Sequence, residues 1–158
     1  MFLDTADAQG ASAAVWNNTA PDSNVFSVAS SSYINPAGSD VIGYCFCPVE
    51  GYSAFGSYEG NGLADGPFIY TGFKIEFLLI KSADTAQYWY LADSARSPYN
   101  DGATEGLWAN TADAEFSYDV DFLSNGFKHY NQSANLNTVD TFIYAAFASH
   151  PFRSARAR

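Results

Sequence analysis

The sequence predicts an all-β protein, a β-sandwich or jelly roll of about ten strands. Three observations carry this. Of the 158 residues, 17% are aromatic, and 12 Gly and 6 Pro accompany many Asn, Ser, Thr and Asp. Short strands joined by turns have this composition. Apolar runs recur at close spacing between turn residues, which is the strand signature. Helical spacing of apolar residues behind a plausible cap is absent from any window of about 11 residues or more.

Taken in order, the first strands fall at residues 25–28, after Pro21-Asp22-Ser23-Asn24, and at 41–46, after Pro36-Ala37-Gly38-Ser39. Further strands are predicted at 53–58, 68–70, 73–81, 87–92, 107–109, 122–123, 127–130 and 141–147. The runs 73–81 and 141–147 are nearly continuous in apolar residues, as in strands covered on both faces, and belong near the middle of the sandwich or against a partner. A single turn of helix fits best near 110–115.

The chain also repeats itself. Leu3-Asp4-Thr5-Ala6-Asp7-Ala8 resembles Ala109-Asn110-Thr111-Ala112-Asp113-Ala114, Phe26 matches Phe127, and Val41-Ile42-Gly43-Tyr44-Cys45-Phe46 matches Phe142-Ile143-Tyr144-Ala145-Ala146-Phe147, all in the same order. Residues 1–47 thus form a half repeat and 55–152 a full one. The expectation is one sandwich over 1–152, to which both copies contribute strands, followed by a basic tail at 153–158; the alternative is that residues 1–47 pair with another subunit.

Seventeen acids face seven Lys and Arg, a formal net charge of −10, and Arg153, Arg156 and Arg158 all lie in the tail. So acidic a body repels phosphate backbones and anionic membranes, which excludes general nucleic-acid and membrane-surface binding. The arginine tail is expected to meet acidic surface in salt-sensitive pairing. No apolar run approaches the roughly 20 residues of a membrane span, and the start has neither a basic n-region nor a sustained h-region, so the chain is expected to be made in the cytoplasm.

Catalytic patterns are missing. There is no G-x-S-x-G elbow, H-E-x-x-H pair or phosphate-cradling loop, and His129 and His150 are isolated and read as surface or packing residues. Cys45 and Cys47 would point to one face of a strand as small apolar fillers; a metal pair would need two more ligands. The carboxylate pairs Asp119 with Asp121 and Asp113 with Glu115 suit glycosidase chemistry only if they share a groove. Asn61, Asp65, Asn100 and Asp101 supply the oxygens calcium prefers, without matching a defined calcium motif. Arg96 is expected to pair with Asp93, the alternative being an anion or sugar ligand. Among the aromatics, Tyr52, Tyr58, Tyr99, Trp108 and Tyr130 stand in turn-rich surroundings and are the candidates for stacking on a sugar or a partner.

Several blocks carry a resemblance. Val49-Glu50-Gly51-Tyr52-Ser53-Ala54-Phe55-Gly56-Ser57-Tyr58-Glu59-Gly60-Asn61-Gly62, then Asp65-Gly66-Pro67-Phe68-Ile69-Tyr70-Thr71-Gly72-Phe73-Lys74, with Asp121-Phe122-Leu123-Ser124-Asn125-Gly126-Phe127-Lys128, resemble a domain common at the C-terminus of large virion proteins of marine and other environmental tailed phages. The chain departs from that pattern at Lys74-Ile75-Glu76, where a more basic or proline-containing stretch is usual. The resemblance implies a non-enzymatic virion structural protein, accompanied by lectin-like modules, in a tail fibre or receptor-binding assembly. It implies other virion proteins as partners, a homo-oligomer such as a trimer, and a host surface glycan or protein as target. Two alternatives stay open: a capsid decoration or cement protein, and a carbohydrate-binding module or polysaccharide-active enzyme. No cofactor is expected apart from the calcium candidates.

Overall fold

A computed structural model describes residues 1–150; the expected pairing of Arg153, Arg156 and Arg158 lies outside the described residues. The chain divides into two units, one formed by Met1–Gln9 and the chain from Cys47 on, the other by Gly10–Phe46.

Among the described residues the first unit holds nine strands: β1 (Ser53–Glu59), β2 (Phe68–Tyr70), β3 (Ile75–Ser82), β4 (Tyr90–Asp93), β5 (Thr104–Trp108), β6 (Phe116–Tyr118), β7 (Val120–Leu123), β8 (Gly126–His129) and β9 (Thr141–Ala148). They form a six-stranded sheet in the order β1-β9-β3-β4-β5-β6 and a three-stranded sheet in the order β2-β8-β7. Every pairing is antiparallel. The two sheets make an all-β sandwich, as the composition predicts.

Alternation decides which residues face the core. Ala54 and Leu78 both stand opposite Ala146, and Tyr58 stands opposite Phe142, so these side chains share one face. That face carries Leu78, Ile80, Tyr90, Ala92 and Phe142 into a cluster with Ile69, Val120, Phe122 and Phe127 of the smaller sheet. On the other face Leu79 stands between Ala145 and Leu91, with Leu107 beyond, a row of half-buried apolar residues running across the sheet. The long apolar runs of β3 and β9 therefore mark inner strands, with one face buried and the other half-buried.

Aromatic packing fills the end of the sandwich at β4 to β6. Trp108 stacks on Phe116 at 4.2 Å and Tyr90 meets Trp108 edge-on at 6.1 Å. Gly106 makes this possible, because a Cβ there would come within 2.3 Å of the Tyr90 ring. At the opposite end the buried amide of Asn137 accepts from the backbone of Asn61 and donates to the carbonyls of Leu63 and Asn131. It fastens the β1–β2 connection to the segment before β9. Nearby, Tyr58 is buried and its hydroxyl donates to the Leu136 carbonyl at 2.7 Å. Tyr58→Phe should leave that carbonyl without its donor and cost about 2 kcal/mol in urea denaturation; a change below a few tenths would mean that water replaces the hydroxyl.

The first nine residues lie against the same sandwich. Gln9 N–H donates to the Ala83 carbonyl at 2.8 Å and the Trp89 indole N–H to the Phe2 carbonyl at 2.9 Å. Lys81 is fully buried, its ammonium donating to the carbonyls of Ser82 and Thr85. Burial lowers its pKa, and the charge of Asp7 works in the opposite direction.

The second unit corrects the sequence reading. Residues 25–28 and 41–46 form no strands, and none of residues 10–46 is buried. Its regular element is α1 (Ala13–Trp16), ended by Asn17 in the left-handed conformation at φ 53°. The Asp22 carboxylate accepts the backbone N–H groups of Asn24 and Val25, which holds its pKa below the usual range. The Ala29 and Ser31 N–H groups donate to the carbonyls of Val15 and Ala14, the helix segment, where a strand would pair with a neighbour. Val25, Ile42 and Tyr44 are exposed, so strand propensity in this unit meets neither a ladder nor a buried face. The half repeat is thus a sequence likeness without a matching fold, and the single sandwich expected over 1–152 excludes Gly10–Phe46. Cys45 and Cys47 are free and exposed, not packed fillers. The helical turn expected at 110–115 is also absent: the Asn110 side chain accepts from Trp89 N–H and Thr111 binds Asp113.

Candidate functional cleft

The loop between β4 and β5 is held by side chains along its whole course. Ser94 donates through its hydroxyl to the Glu76 carboxylate at 2.7 Å and through its N–H to the Glu76 carbonyl. The Arg96 N–H donates to Asp93, and the Glu105 N–H donates to the Ser97 hydroxyl at 2.7 Å. Asn100 grips both backbone groups of Phe122, donating to its carbonyl at 3.1 Å and accepting from its N–H at 3.0 Å. This amide imitates a paired strand and anchors the loop on β7. Gly102, at φ 84°, turns the chain back towards β5.

The pinned loop leaves a cleft of about 330 Å³ between itself, the start of β3 and β7. Tyr99 lines it and is 77% exposed, with Ser94, Ser97 and Asn100 beside it and Lys74 in its wall. No carboxylate belongs to the lining. An exposed ring beside hydroxyl groups can stack on a sugar face while polar neighbours bind its hydroxyls.

Of the residues singled out by sequence, the cleft unites Tyr99 and Asn100. The others are elsewhere. Tyr58 is a core residue, stacked on Phe142 at 5.2 Å, and burial pushes its phenol well up, so it is corrected from ligand candidate to packing. Trp108 is likewise half-buried inside the aromatic cluster. Tyr52 meets Phe147 edge-on at 6.2 Å, and the Tyr130 ring lies 5.0 Å from the Lys128 ammonium. Arg96 pairs with Asp93 as expected, at 3.2 Å, and with Glu115 at the same distance. Its guanidinium serves these carboxylates and does not line the cleft. Lys74 and Ser97 were not legible as site residues, because only the folded loop brings them to Tyr99.

The calcium candidates have other work. Asn61 accepts from Leu63 N–H and donates to the Asp65 carbonyl, and the Asp65 carboxylate takes the Lys128 ammonium at 2.7 Å. Asn100 is spent on Phe122, and Asp101 is exposed. Among the described residues no group of three or more His, Cys, Asp or Glu side chains is placed to hold a metal ion.

Asp119 stands just before β7 and Asp121 within it, and burial and then the charge of Asp119 raise the Asp121 pKa. Neither lines the cleft. His129 is fully buried with both ring nitrogens unpartnered, and burial, with the Lys128 charge beside it, lowers its pKa to about 3. It faces the rings of Tyr58 at 5.2 Å and Phe127 at 5.5 Å. No helix among the described residues is long and apolar enough to cross a membrane.

Comparison with curated proteins and with solved structures finds no match. A family model does match: it covers residues 1–151, nearly the whole chain, and is described as a domain of unknown function, DUF7483. The chain therefore belongs to the DUF7483 family.

Proposed function

We propose that this chain is a non-enzymatic structural protein of a tailed-phage virion, working in a tail-fibre or receptor-binding assembly, and that it binds a host surface glycan in the cleft at Tyr99. The observation that carries the binding reading is Tyr99 itself. An aromatic ring that is 77% exposed on a loop fixed along its length is held ready for a ligand. A lining without carboxylates favours binding over glycoside hydrolysis, which needs an acid and a second carboxylate across the scissile bond. The virion reading is supported by the sequence blocks around Tyr52, Gly72 and Phe127 and by the acidic, aromatic, turn-rich body.

The test uses the full chain against intact host cells and against glycans released from their surface. Binding is expected, and Tyr99→Ala should weaken it about tenfold through lost stacking, with an unchanged melting temperature. Antibody labelling of particles should place the protein on the tail. Absence of binding combined with label on the head lattice would overturn the receptor reading in favour of a decoration protein.

A further inference from the structure

We infer that the cleft selects an acidic saccharide, one carrying a carboxylate as uronic and sialic acids do, with Lys74 as its counter-ion. The inference rests on the glycan-binding reading and narrows its ligand class. The chain has seventeen Asp and Glu against seven Lys and Arg, so an unpaired cation is against the odds. Arg96 is paired with Asp93 and Glu115, and Lys128 with Asp65. Lys81 is buried on two carbonyls. Lys74 alone of the described Lys and Arg side chains has neither an ion pair nor a hydrogen bond, and it is in the wall of the cleft that presents Tyr99.

Its position is fixed from both sides. Phe73 and Ile75 are buried and the Lys74 carbonyl accepts from Ser149 N–H at 3.0 Å, so alternation turns the lysine side chain outward. The polar inventory suits an anion. Ser97 already accepts a backbone N–H through its oxygen, which leaves its O–H free to donate, and the Tyr99 hydroxyl is free among the described residues. Ser94 gives its proton to Glu76 and retains its lone pairs for a sugar hydroxyl. Donors from Lys74, Ser97 and Tyr99, with no carboxylate lining, are what a carboxylate needs and what an amine or a divalent cation would reject.

The experiment titrates the full chain with uronic- and sialic-acid oligosaccharides, each paired with its carboxyl-reduced counterpart, in which the same sugar has lost only its charge. The acidic member of a pair should bind about tenfold tighter, the worth of one charge-assisted contact. Lys74→Gln should bring the two members to equal affinity, whereas Tyr99→Ala should weaken both. Equal binding of acidic and reduced sugars by the wild type overturns the acidic selection and leaves the glycan reading standing. Binding of neither member of any pair rejects that reading together with the inference.

Discussion

Acidification from pH 7.5 to pH 5 should cost the sandwich about 2 kcal/mol through His129 alone, and about 4 kcal/mol by pH 3. The unfolded imidazole titrates near 6.5, whereas in the fold it must lose its water without gaining a partner, and its pKa falls to about 3. A folded value below the unfolded one means that the stability is fully present above about pH 6.5 and drains away as the pH falls towards 3. Asp121 has the opposite sign, since its raised pKa favours the folded state when it takes up a proton. Urea titrations at the two pH values measure the loss, and His129→Phe should flatten it, because a ring of similar size needs no proton. Should the variant lose as much stability as the wild type over this range, the acid sensitivity belongs to other groups.

Phe127→Ala should be the most damaging single truncation, at about 3 to 5 kcal/mol. Phe127 is fully buried on the central strand of the smaller sheet, opposite Ile69 on one side and Phe122 on the other. Its ring also meets Tyr58 at 5.9 Å and Tyr144 at 5.6 Å, both on the larger sheet, so one side chain joins the two layers. Phe127→Leu should restore most of the loss, since it leaves a far smaller void. A cost below about 1 kcal/mol for the alanine variant would mean that the layers close over the cavity.

The strands legible in the sequence are those whose apolar runs coincide with a place in a sheet. Residues 68–70 form β2 as predicted, and the runs over 73–81 and 141–147 fall on the two inner strands β3 and β9. β6 escaped notice because Phe116-Ser117-Tyr118 is short and acid-flanked, and its reason for being a strand is the distant Trp108. Residues 41–46 show the reverse error, strand composition without a ladder. Tyr58 was misplaced by its turn-rich surroundings; counting by twos from Ala54 puts it on the inward face. The Asp93 and Arg96 pair was readable because the partners are three residues apart. That Lys74 lacks a carboxylate is a property of the whole surface, and no local window contains it.

The place of β9 has a consequence for synthesis on the ribosome. It is the last of the nine strands among the described residues, yet it lies between β1 and β3 and is hydrogen-bonded to both. Until residues 141–148 have emerged, β1 has no neighbour in its sheet and β3 has only β4, so the nascent sandwich carries open edges up to that point. Closure is then a long-range event, joining β1 and β3 to a strand that emerges only after five others have followed β3, which makes folding slow and aggregation the competing outcome. A chain broken anywhere before Thr141 loses both ladders at once, so a C-terminal truncation here removes an interior strand of the sheet and not its rim.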